Sequence, residues 1–80
     1  MLSGGQIRAA RALLGISSEE LAELSEVGWA TIRRLELVDG VPNGRGATIA
    51  KIRRALEAEG IEFIGDPLKS PGVRLKRKGS

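Results

Sequence analysis

The chain has 80 residues, room for one domain with a small core and marginal stability on its own, so an oligomer is expected. Cysteine and histidine are both absent, which excludes disulfide frameworks, thiolate nucleophiles, imidazole bases and the usual zinc sites. The formal net charge is +3, unevenly spread: residues 1–65 carry eight basic and nine acidic side chains, residues 66–80 five basic and one acidic.

Ser3 with Gln6 spells a capping box, and Ile7, Ala10 and Leu14 recur at helical spacing until Gly15 supplies a left-handed stop. Ser17 with Glu20 repeats the box, and Ile16 ahead of it is placed to pack on Leu21 as a hydrophobic staple. The second helix is expected to run to about Ser25, with Leu21, Ala22 and Leu24 facing inward. After Glu26, Val27 and Gly28 a third periodic stretch begins at Trp29 and reaches Leu37, with Ile32 and Leu35 as its inner stripe and Glu36 near its edge.

Turn formers crowd Val38 to Gly46, namely Asp39-Gly40, Pro42, Asn43-Gly44 and Gly46, so a loop is expected there. Helical pattern returns over Ala47 to Glu59, with Ile49, Ile52, Ala55 and Leu56 on the buried face, and Gly60 ends it. Beyond Gly60 the period falls to two around Ile61 and Phe63 and again around Val73 and Leu75, which predicts two short strands. A two-stranded ribbon is marginal in water, so it must pack on the helices or pair with a second chain. Dimerisation through Ile61, Phe63, Val73 and Leu75 is the preferred expectation. The basic tail, residues 77–80, is read as disordered, with a non-specific DNA arm as the other possibility.

No run of about 18 apolar residues is present, and MLSGGQIRAARALLG has no apolar stretch behind a basic segment. The expectation is a cytoplasmic protein with no membrane partner and no cofactor. Catalysis would have to rest on Ser, Lys or carboxylates, and neither paired acids in a cleft nor a phosphate-cradling glycine motif is legible. SGG at 3–5 and PNGRG at 42–46 read as turn signals. An enzyme is not expected.

Two short helices joined by a three-residue turn are the skeleton of a helix-turn-helix, whose second helix lies in the major groove. In IRAARALLG and SSEELAELSEVGWATIRRLE the chain resembles the Xre family of bacterial repressors, the Cro and lambda-repressor-like fold, over roughly residues 3–60. The resemblance implies a mainly α domain of four helices over residues 1–60, with the motif at 17–36. A short C-terminal two-stranded β segment at 61–76 replaces the family's fifth helix. It further implies base reading by Trp29, Ala30 and Arg34, with Thr31 and Arg33 adjacent. Phosphate contacts are implied for Ser18 and Thr31 and for Asn43 and Arg45 in the following loop, and Arg11, paired with Glu36, is positioned near the phosphate backbone. Three positions depart from the family pattern: Ser18 stands where Gln is usual, Glu26 replaces the turn glycine, and Gly28 replaces the capping Ser or Thr.

Helical geometry supports part of this without the resemblance. With Ile32 and Leu35 inward, a rotation of about 100° per residue turns Ala30, Arg33, Arg34 and Leu37 outward. Outward arginines suit guanine edges and an outward alanine a thymine methyl, whereas Trp29 lies at the flank, where it either stacks on DNA or is half buried. The expected function is therefore a sequence-specific transcriptional regulator, a homodimer on double-stranded DNA that reads an inverted repeat through the Trp29–Leu37 helix. The alternative is an antitoxin or adaptor that holds a partner protein, a toxin or a regulator, through its C-terminal β segment and autoregulates its operon.

Overall fold

The computed structural model describes residues 1–42 and 46–76, in which four helices precede a two-stranded antiparallel ribbon. Helix α1 spans Gly4–Leu14, α2 Ser18–Ser25, α3 Trp29–Glu36 and α4 Gly46–Ala58, with strands β1 Ile61–Ile64 and β2 Gly72–Leu75. The expected mainly α architecture is what the chain adopts. α3 is one residue shorter than its apolar period suggests, with Leu37 as its cap, and α4 sits one residue earlier at both ends.

Local chemistry sets the first two helices as read. Ser3 and Ser17 each accept from the backbone three residues on, at 3.0 Å, while Gln6 and Glu20 accept from the cap residues' own N–H groups in return. Gly15 takes a left-handed conformation that ends α1. α2 differs from its expected face: Leu21 is buried but Leu24 is 47% exposed. The second inward position is Ser25, one turn beyond Leu21, whose hydroxyl donates to the Leu21 carbonyl at 2.7 Å.

One core joins all the elements, built from Leu2, Ile7, Ala10, Leu21, Val27, Ile32, Leu35, Ile52, Leu56 and Ile61. Leu2 precedes any helical period, which is why periodicity overlooks it. The glycines at 4 and 5 are not a turn; they form the first turn of α1, where the loop after α3 lies directly on it. Gly4 donates to the Gly40 carbonyl at 2.9 Å, and a Cβ at Gly4 would collide with the carbonyls of Val38 and Leu35. Only glycine permits that approach.

The ribbon's apolar face is engaged within the chain itself. Its register pairs Ile61 with Leu75 and Phe63 with Val73, so these four side chains share one face. That face is turned onto the chain's own helices: Ile61 is buried, and Phe63, Val73 and Leu75 pack against the core. β2 lies along α1 and β1 along α4. Gln6 is the joint, because its Nε2 donates to the Gly72 carbonyl at 3.0 Å while its Oε1 caps α1. Residues 61–76 thus complete the helical core, which takes Ile61 out of the expected dimerisation set and leaves Phe63, Val73 and Leu75 partly covered. The basic tail at 77–80 lies outside the described residues. No described helix is long and apolar enough to cross a membrane.

Candidate nucleic-acid interface

α2 and α3 pack together across the turn of Glu26, Val27 and Gly28. Val27 is buried in the turn, and Ile32 and Leu35 fix α3 onto the core. The opposite side of α3 carries Ala30, Arg33, Arg34 and Leu37, all exposed, as the 100° rotation predicts. Thr31 is half-buried between the two sides.

The entrance to α3 is poorly secured by its own backbone. Glu26 sits at φ 58°, the sole non-glycine residue of the described chain in the left-handed region, a conformation that costs about 1 kcal/mol for an L side chain. Gly28 caps α3 without a side-chain hydrogen bond. A different contact holds this end. The Trp29 indole N–H donates to Ser18 Oγ at 3.0 Å, joining the first residue of α3 to the first residue of α2. Trp29 stays 46% exposed, with the Arg33 guanidinium 5.2 Å from its ring centroid.

The far end of α3 is secured from α1. Arg11 meets Glu36 in a fork, Nε to Oε2 and Nη2 to Oε1, both at 2.8 Å, and its Nη1 donates to the Ile16 carbonyl at 3.2 Å. Glu36, expected near the edge, is buried, its side chain only 7% exposed. The hydrogen bond to Glu36 raises the Arg11 pKa above its ordinary value, against the opposing effect of burial. Arg11 remains charged at any working pH, and its donors are aimed at protein partners.

Arg8, which the sequence reading passed over, completes the clasp. It donates to the Glu36 backbone carbonyl and pairs with Asp39. Arg8 and Arg11 are three apart on α1 and so share a face, which is the part of this clasp that spacing could have shown; Asp39 lies in the loop beyond α3, outside any helical period.

The structure therefore brings together Ser18, Trp29 and Arg33 at one end of α3 and Arg8 and Arg11 with Glu36 at the other. Ala30 and Arg34 lie on the exposed side between them. Asn43 and Arg45 lie outside the described residues. The acids of α2 are exposed at Glu19, Glu20, Glu23 and Glu26, and the first two favour the positive end of their own helix. Among the described residues no group of acids could hold a metal ion. Comparisons with family models, with curated proteins and with solved structures return no match.

Proposed function

We propose that the chain is a sequence-specific transcriptional regulator that binds double-stranded DNA as a homodimer and reads an inverted repeat through α3. The observation that carries this reading is the division of α3: Ile32, Leu35 and Glu36 are buried, while Ala30, Arg33 and Arg34 are exposed on a helix that follows α2 across a short turn. Arginines on such a face match the acceptor pair of guanine in the major groove. Beside the partly covered Phe63, Val73 and Leu75 of the ribbon, the apolar side chains offered to a second copy include Leu37, 79% exposed, and Val38 next to it.

Selection of duplex DNA from a random pool, with the solution mass measured in parallel, tests this. The expected result is a two-fold symmetric site, half-sites about 34 Å apart, and the mass of two chains. A pool with no sequence preference at moderate salt overturns it. Arg34→Ala is expected to relax preference at one base pair by about 1–3 kcal/mol, whereas Arg45→Ala weakens all sequences alike.

A second reading, an antitoxin or adaptor gripping a partner protein through the β segment, has one observation in its favour. Each strand of the ribbon has a single neighbour, and Ile64 and Leu68 beside it are exposed, so an added strand has both an edge and an apolar contact. Co-purification of the untagged chain with one specific protein would favour this reading over a lone homodimer.

A further inference from the structure

We propose that Trp29 is a positioning residue: tied to Ser18 through its indole N–H, it holds the Arg33 guanidinium in place on the outer face of α3, so that Arg33 meets a base pair already aligned. This rests on the DNA-reading proposal above and assigns Trp29 a role within it other than base reading.

Trp29 and Arg33 are four residues apart on α3 and so lie on one face, one turn apart. Indole has a single hydrogen-bond donor and no acceptor. That donor is already given to Ser18 Oγ at 3.0 Å, which leaves Trp29 nothing with which to address a base edge. What remains exposed is its π face, and the Arg33 guanidinium lies 5.2 Å from the ring centroid. An arginine side chain loses considerable rotamer entropy when it is fixed, so a ring that fixes it beforehand reduces that loss on binding.

Arg33 is suited to being held this way. Among the described residues no carboxylate pairs with it. A guanidinium held by a ring's π electrons spends no hydrogen bond on that contact, so its N–H donors stay available for a guanine. The Ser18 bond also does mechanical work at this place. Gly28 supplies no side-chain cap and Glu26 is strained, so the tether from α2 fixes the start of α3 where the turn does not. Ser18 keeps its own hydroxyl proton to donate outward, since it only accepts from the indole.

The test selects duplex DNA from a random pool with the full chain and its variants Arg33→Ala, Trp29→Ala, Trp29→Phe, Ser18→Ala and Trp29→Ala/Arg33→Ala, each checked for native helicity. Arg33→Ala and Trp29→Ala are expected to lose preference at the same base pair, by about tenfold. The double variant should lose no more than Arg33→Ala alone, the non-additivity expected of two residues acting as one unit. Trp29→Phe keeps the π face without the N–H, and Ser18→Ala removes the acceptor, so both weaken preference at that pair in part. Trp29→Ala should leave the salt slope of affinity unchanged, because no phosphate contact is lost. If Trp29→Ala does not fold, Trp29→Phe and Ser18→Ala decide by the same base pair. Loss of preference at a different pair, additive losses, or a Trp29→Ala pool identical to wild type overturns the proposal alone. A wild-type pool without any preference instead overturns the DNA reading on which it rests.

Discussion

At its C-terminal end α3 is held by two arginines of α1, which grip a buried carboxylate, a backbone carbonyl and an aspartate; at its N-terminal end it is held by one half-exposed indole on one serine. At the first end the Arg11–Glu36 fork is charged, bidentate and largely out of water, a setting in which removing one partner is costly, whereas the Arg8–Asp39 pair beside it is exposed. The second follows a strained Glu26 and an uncapped Gly28. One end is held by charge and burial and the other by a single neutral hydrogen bond, so changes at the two ends should have effects of different size and kind.

Glu36→Ala should have the largest effect, a loss of about 3 kcal/mol in urea unfolding, because it strands Arg11 without its partner. A loss under about 0.5 kcal/mol would make the two ends equivalent and dissolve the contrast. Gly4→Ala comes next at about 2 kcal/mol, since the new Cβ meets the Val38 and Leu35 carbonyls and forces the loop after α3 off α1. Glu26→Gly works in the opposite direction and should raise stability by about 1 kcal/mol in thermal unfolding, by relieving the left-handed strain. The smallest change is Gly28→Ser, a gain of roughly 0.3 kcal/mol from a hydroxyl placed to cap α3. If the two entrance substitutions leave stability unchanged, the entrance is not the loosely held end.

The helices and their stops were legible because capping boxes, Gly15 and the inner stripe of α3 are local signals, fixed within one or two turns of chain. What escaped depends on contacts distant in sequence. Leu24 fits the apolar period of α2, yet Ser25 takes the inward position because its hydroxyl satisfies itself on the Leu21 carbonyl. Gly4 reads as a turn until the loop from α3 is seen against it. The alternation of Ile61, Phe63, Val73 and Leu75 correctly gave a ribbon with one apolar face, but alternation cannot say whose core that face joins. At the candidate interface the outward set on α3 followed from helical rotation, and Arg11 with Glu36 from family resemblance. The Ser18–Trp29 bond required the two helices to be placed in space.

Gln6 gives the fold a consequence for how it comes apart. One amide group both closes the first turn of α1 and holds the end of β2, so the ribbon cannot detach without breaking a bond to the residue that caps α1. The Gly4 and Gly5 amides next to it bond the carbonyls of Gly40 and Asp39 beyond α3. In amide exchange the ribbon, the start of α1 and the loop closing α3 are therefore expected to open as one cooperative unit, although 66 positions of sequence separate Gln6 from Gly72.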